Sequence, residues 1–442
     1  MSESIQIEPV KPFDLTLSPP GSKSLTNRAL LIAALADGAT QLDGVLFADD
    51  TRRMLEALQA LGFTLDIDEN ARRVTVHGQN GKVPAESAEL MLGNAGTAMR
   101  FLTAACCLGH GTYTLDGIER MRQRPIGELV EPLRQLGAEI AYLGEEGFPP
   151  LKIEGSPYFE GGFVTLEPTL SSQFISALLI AGPCTPRGVT ITFNGEITSL
   201  PYISMTLKLM KHFGAGHEWG GPKKNAVRVT AASYKPTPYT IEPDASNASY
   251  FLAAAAAVPG SSCTIENLGS ESVQGDADFC NILGRMGCTV TQRTHSTTVA
   301  APASGRLRGV DVRLSKMPDM AQTLAALAIL ADGPTRIRKV GNLRVKETDR
   351  MEAIRVELTK LGASVEIKKD DILIEPPAGN TLTPASVDTY DDHRMAMAFS
   401  VIGLATPPGT VTINDPDCVN KTYPNYWEDL QKLHDAATAA AT

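Results

Sequence analysis

No two cysteines in this chain are spaced as CxxC, and the seven cysteines are an odd number. Cys106 and Cys107 sit inside an apolar run, where thiols behave as small hydrophobes. The pattern predicts a reduced protein without a structural metal. No apolar run is long enough to span a bilayer. The start, MSESIQIEPV, has neither the basic nor the apolar region of a secretory leader, so the expected location is the cytoplasm. Basic residues are outnumbered, 40 Lys and Arg against 50 Asp and Glu, for a net charge of −10. That balance argues against a nucleic-acid partner, which usually needs a basic face. There is no nucleophile with a neighbouring His and carboxylate, and no metal-ligand spacing.

What is present is repetition. With 442 residues, 43% of them apolar, the chain is long enough for two or three domains. An amphipathic helix ending in Gly recurs as MLEALQALGFTLDI, LVEPLRQLGAEIAYL, MTLKLMKHFGAG, FCNILGRMGCTVTQ and MEAIRVELTKLGASVEI, with a truncated copy, YWEDLQKLHDA. Apolar residues at i, i+3, i+4 and i+7 give one buried stripe, and the following Gly is a C-cap signal. Ahead of each copy stands a helix apolar nearly all round: RALLIAALADG, MRFLTAACCLGHG, FISALLIAGP, SYFLAAAAAVPG, AQTLAALAILADG and RMAMAFSVIGLATPPG. These are predicted to be buried. The glycines that follow them, Gly38, Gly111, Gly188, Gly260, Gly333 and Gly409, lie 72 to 77 residues apart. Solenoid repeats are usually shorter, about 20 to 50 residues, so two globular halves of three units each are expected. Each unit reads helix, strand, helix, strand, strand. The sixth lacks its closing strands, and the N-terminal segments SIQIEPV and DLTLSPP are expected to complete it. The predicted domains are residues 1–21 with 241–442, and 22–240.

The chemistry collects at helix starts, where unpaired N–H groups and the dipole favour anions. The apolar helices open with PGSKSLTNR, GNAGTAMR, LSSQF, PDASNAS, MPDMAQT and YDDHRM. Each motif alone also reads as something plainer: Ser22 or Ser24 as an N-cap, Gly93 and Gly96 as turn residues. Together they concentrate the cations of an acidic protein. Lys346 and Arg350 are four apart at an expected helix start, where like charges repel unless an anion sits between them. Arg120, Arg122 and Arg124 alternate, so an extended segment puts all three on one side. Pro125 suits the first position of the next helix. Ser24 and Arg28 share a helix face, and Lys23, Arg100, Arg394 and Lys421 add to the set. A pocket for one or two small, multiply anionic ligands is expected. Asp319 and Glu347 are the acid and base candidates, with capping and charge balance as their plainer readings. His393 is a possible donor, although a lone His is more often structural.

The ordered series PGSKS, GNAGTAMR, RPIGELV, SSQF, NLRVKETDR and YDDHRMAMAFS resembles the 5-enolpyruvylshikimate-3-phosphate (EPSP) synthase family, from about residue 5 to 433. The resemblance implies an α/β (α+β) fold, an inside-out α/β barrel of two similar halves. Each half has three βαβαββ-type units with buried helices, and a two-stranded hinge joins the halves, with the active site in the cleft between them. It implies transfer of the enolpyruvyl group of phosphoenolpyruvate to shikimate 3-phosphate through a tetrahedral intermediate, without cofactor or metal, by what is expected to be a monomer with no membrane partner. Lys23, Asp319 and Glu347 would be catalytic. Lys23, Ser24, Arg28, Ser171, Ser172, Gln173, Ser199, Asp319, Asn342 and Lys346 would hold shikimate 3-phosphate. Lys23, Asn94, Gly96, Arg124, Gln173, Arg350, His393, Arg394 and Lys421 would hold phosphoenolpyruvate. Many bacterial members have proline after GNAGTAMR, whereas here Phe101 follows Arg100. The intact Gly96 matches the glyphosate-sensitive type.

Two rival readings fit the sequence less well. UDP-N-acetylglucosamine enolpyruvyl transferases share the implied fold and chemistry but carry a reactive cysteine before an Arg-Pro, and GIERMRQRP has none. A non-catalytic clamp around DNA would spread lysines along its lining helices, whereas here the apolar helices carry cations at their ends.

Overall fold

The computed structural model describes residues 4–167, 171–195, 197–221 and 225–439. The chain forms two compact units, Gly21–Glu242 and a discontinuous one made of Met1–Pro20 with Pro243–Thr442. The crossing points are fixed locally. On one side Ser22 N donates to Glu242 O and Ile241 N to Asp43 O; on the other, Asp244 N donates to Pro20 O. The boundaries therefore fall at 20/21 and 242/243.

The first unit carries α1 (Lys23–Leu35), α2 (Asp49–Ala60), α3 (Gly96–Cys106), the one-turn α4 (Glu119–Arg122), α5 (Gly127–Gln135), α6 (Ser172–Ala181) and α7 (Leu200–His212). The second carries α8 (Ala245–Ala257), α9 (Phe279–Arg285), α10 (Ala321–Ala328), α11 (Arg350–Lys360), α12 (His393–Leu404) and α13 (Tyr426–Ala439). The apolar sequences are the buried helices. α1 is buried without a break from Leu25 to Leu35, and every residue of α3 and α12 is buried. Each large apolar side chain removed from water contributes about 1.5–3 kcal/mol, so packing rather than propensity holds them. The amphipathic helices bury one stripe, as α2 does with Met54, Leu55 and Leu58. Their closing glycines, Gly62, Gly137, Gly214, Gly287 and Gly362, all have φ between 87° and 107°. This left-handed C′ geometry strains any side chain with a Cβ.

Each unit's sheets repeat one topology. Ser87–Met91 lies parallel to Thr112–Asp116 across α3, and Thr112–Asp116 pairs antiparallel with Leu151–Glu154, the inner strand of a hairpin with Glu139–Tyr142. Gly162–Leu166 and Asp311–Arg313 open two more such sheets. The N-terminal segments depart from expectation. Ser4–Gln6 does join the C-terminal sheet, antiparallel to Val411–Asn414. Asp14–Leu17 instead runs parallel to Ser262–Glu266, the strand after α8, while Tyr239–Thr240 pairs with Ala39–Asp43, the strand after α1. The two segments that precede α1 and α8 have thus exchanged sheets, because the chain changes unit immediately after each of them.

Candidate active site

Sequence patterning puts the polar groups at the starts of buried helices, and the fold resolves each start separately. At α8 the groups satisfy one another: Asp244 caps by accepting from Asn247 N, Gln274 Oε1 accepts from Ala245 N, and Ser246 Oγ donates to Asp276 Oδ2. PDASNAS is a cap. The other five starts form two cationic sets, one in each unit.

In unit Gly21–Glu242, Ser22 caps α1 by accepting from Leu25 N. Lys23, the first helical residue, places Nζ 3.0 Å from Asp50 Oδ2. One turn on, Arg28 is fully buried: Nε donates to Thr206 Oγ1 at 2.7 Å, Nη1 to the Ser24 carbonyl at 2.8 Å and Nη2 to Ser176 Oγ at 3.4 Å. Burial pulls the Arg28 pKa down to about 10. Arg124 Nη1 donates to the backbone and side-chain oxygens of Asn94 at 3.1 and 2.9 Å. A Cβ on Gly96 would lie 2.5 Å from Arg124 Nη2, so the glycine leaves the room that the guanidinium occupies. Ser171 caps α6, Ser172 is buried beside it, and Gln173 Nε2 donates to Thr97 Oγ1. Ser199 precedes α7 in the left-handed region at φ 55°.

In the discontinuous unit the centre is Asp319, in the 3-10 turn Pro318–Met320 ahead of α10. Oδ1 lies 3.2 Å from Arg350 Nη1 and 3.7 Å from Lys346 Nζ, and Oδ2 lies 3.3 Å from Arg394 Nη2. Burial pushes the Asp319 carboxyl up, but Lys346, Arg394 and Arg350 together outweigh it and hold the group well below the usual carboxylate range. Arg350 also meets Glu347 Oε2 at 2.9 Å and Asp392 Oδ2 at 2.6 Å. Burial favours its neutral form, yet Asp392, Glu347 and Asp319 override this and raise its pKa. Asp392 caps α12 by accepting from Arg394 N, and Arg394 Nη1 donates to the Tyr250 hydroxyl. His393 is buried at the first position of α12, Asn342 is half-buried in the 3-10 turn Gly341–Val345, and Lys421 closes the turn Pro416–Lys421. A carboxylate with low basicity, ringed by cations, suits oxyanion exchange: arriving phosphates or carboxylates compete with Asp319 for the same guanidinium and ammonium groups.

Three local expectations need correction. Arg120, Arg122 and Arg124 do not share a side, because Glu119–Arg122 is a helical turn. Arg122 turns out to form a two-pronged pair with Asp116, and only Arg124 joins Asn94. Pro125 is not the first residue of α5, which starts at Gly127. Lys346 and Arg350 are not one helical turn apart, since α11 begins at Arg350; Lys346 is the extended residue that closes the 3-10 turn Gly341–Val345, and the anion between them is Asp319. The counter-ions Asp50 and Asp392 are not among the expected site residues, although they lie in FADDTRRM and YDDHRM, where an acid among basic residues at a helix start is a signal for them. Thr206 and Ser176 carried no such signal.

The family model described as EPSP synthase (3-phosphoshikimate 1-carboxyvinyltransferase) matches residues 7–430. The 3-phosphoshikimate 1-carboxyvinyltransferase of Yersinia pseudotuberculosis is 46% identical over 440 residues, covering 99% of this chain and all of that protein. The protein of the same name from Citrobacter koseri is also 46% identical, covering 98% and 99%. Among solved structures, EPSP synthase from Acinetobacter baumannii aligns with a TM-score of 0.79 at 26% identity, covering 97% of both chains. The enolpyruvyl transferase NikO from Streptomyces tendae, at 18% identity and a TM-score of 0.75, shares the fold.

Proposed function

From the premise that this chain belongs to the EPSP synthase family, we propose that it transfers the enolpyruvyl group of phosphoenolpyruvate to the 5-hydroxyl of shikimate 3-phosphate and releases phosphate. The observation that carries this reading is the ring of Lys346, Arg350 and Arg394 around half-buried Asp319, with Glu347 on the same Arg350. Fixed cations of this kind stabilise negative charge where it develops. The low basicity of Asp319 in the resting site is a consequence of those cations. When substrate phosphate and carboxylate groups take up part of their charge, Asp319 regains proton affinity and can accept the 5-hydroxyl proton as the C–O bond forms. Glu347 delivers a proton to the methylene carbon, giving a methyl group and the tetrahedral intermediate. Removal of a methyl proton and departure of phosphate complete the transfer.

The remaining assignments belong to the same proposal. Lys23, Ser24, Arg28, Ser171, Ser172, Gln173, Ser199, Asn342 and Lys346 hold shikimate 3-phosphate. Asn94, Gly96, Arg124, Gln173, Arg350, His393, Arg394 and Lys421 hold phosphoenolpyruvate, with Lys23 serving both. Glyphosate competing with phosphoenolpyruvate is part of this reading, as is a monomer working in the cytoplasm. Among the described residues no helix is long and apolar enough to cross a membrane.

Purified protein should release phosphate only when given both substrates together. Release with UDP-N-acetylglucosamine in place of shikimate 3-phosphate would favour the other enolpyruvyl transfer, and no release from a folded sample would reject the activity. A sharper test concerns Gly96→Ala. Its methyl pushes Arg124 away from Asn94, and misplacing a clamp by about 1 Å costs roughly 10- to 100-fold in rate. The expected fall in kcat/KM for phosphoenolpyruvate is of that order, at nearly unchanged thermal stability, because the displaced atoms are the far end of a side chain. Unchanged kinetics would remove Arg124 from the phosphoenolpyruvate set.

A further inference from the structure

Arg28 is a buried cation without a carboxylate. Among the described residues no Asp or Glu pairs with it; its three hydrogen bonds go to two hydroxyls and a carbonyl. Tyr202, in the first turn of α7, favours its charge. A guanidinium has five N–H donors, so two remain for a ligand oxyanion. Until that anion arrives, something must offset the desolvation of the charge and hold the planar group in one orientation. The remaining face is covered by Phe101, whose ring centroid lies 5.0 Å from Arg28 Cζ and whose side chain is completely buried on α3. Four helices therefore meet at this group: α1 supplies Arg28, α3 Phe101, α6 Ser176 and α7 Thr206.

We infer that Phe101 is a positioning residue for shikimate 3-phosphate binding, its ring acting on the charge and plane of Arg28. The inference rests on the assignment of Arg28 to that substrate. An aromatic face attracts a cation through its quadrupole, and the attraction strengthens when the pair is desolvated. A carboxylate in place of the aromatic ring would neutralise Arg28 and compete with the incoming phosphate.

The test separates electrostatics from packing. Phenylalanine analogues carrying one, two and three ring fluorines, inserted at position 101 alone, keep the shape of the ring while draining its negative face. The expected result is a stepwise rise in KM for shikimate 3-phosphate, reaching roughly 2- to 30-fold, with KM for phosphoenolpyruvate and kcat nearly constant. Phe101→Leu should match the most fluorinated ring. Arg28→Lys, which keeps the charge and loses the fork, is measured in parallel. If it raises KM for shikimate 3-phosphate while the fluorine series stays flat, Phe101 only fills space and the inference fails. If Arg28→Lys also leaves KM unchanged, the assignment of Arg28 fails and takes the inference with it. A series that lowers thermal stability in step with fluorine count while both KM values stay fixed would equally overturn it.

Discussion

Glu347→Gln should lower kcat for phosphate release by about 10²- to 10⁴-fold, the usual contribution of a positioned proton donor. The amide keeps the shape of the side chain and a partner for Arg350, but it cannot deliver a proton to the methylene carbon. Asp319→Asn should lose a similar factor in kcat, with a different signature. Its removal leaves Lys346, Arg350 and Arg394 without the carboxylate that lies within 3.2–3.7 Å of each. Those cations are then freer to receive anions, so KM for the two substrates should stay level or fall while turnover collapses. Steady-state phosphate release with each substrate varied reads both effects. A loss below 10-fold in kcat for either variant would remove that residue from proton transfer. The stability signature has a definite sign. Asp319 is depressed below its ordinary value of 3.8, so its stabilisation is fully present above that pH and is lost only as pH falls through the lower folded-state value. Asp319→Asn should therefore lower Tm at pH 7, and the gap from the parent should narrow in strong acid.

Asp392→Asn should be the more damaging change to the fold. Asp392 and Arg350 are completely or almost completely buried, and two hydrogen bonds of 2.6 and 3.2 Å join them. Breaking a buried pair from one side strands the remaining charge, at a cost of about 3–5 kcal/mol. Asparagine can still cap α12, so the loss isolates the charge. For domains of this size that corresponds to a fall in Tm on the order of 10 °C. Thermal unfolding followed by circular dichroism is the check. A shift under about 2 °C would mean that Asp319 and Glu347 alone suffice for Arg350. Because the pair also fixes where Arg350 and Arg394 point, activity should fall even at temperatures where the variant remains folded.

Much of this could be read from residue patterns. The alternation of all-round apolar and one-sided helices, the left-handed glycines after the amphipathic ones, and the clustering of cations at helix starts are local properties. Periodicity fixes which face of a helix is apolar. A helix start exposes N–H groups wherever it lies. Five of the six buried helix starts carry the proposed ligand groups, and the sixth, PDASNAS, reads the same way until Gln274 and Asp276 are seen to fill it. The arginine triplet is not legible in this way: a two-residue alternation suggests an extended segment, whereas one short helical turn rotates Arg122 onto Asp116.

The elements, their faces and the chemical character of each helix start follow from residues within a few positions of one another. Which charge meets which depends on long-range packing. Asp319 reaches Arg394 across 75 residues, Arg350 reaches Asp392 across 42, and Arg28 reaches Thr206 across 178. The exchange of Asp14–Leu17 and Tyr239–Thr240 between sheets was likewise decided at long range. A local pattern specifies a buried or charged face without naming its partner. The partner is chosen by how whole helices and sheets pack, and that packing sets both the low basicity of Asp319 and the aromatic cover over Arg28.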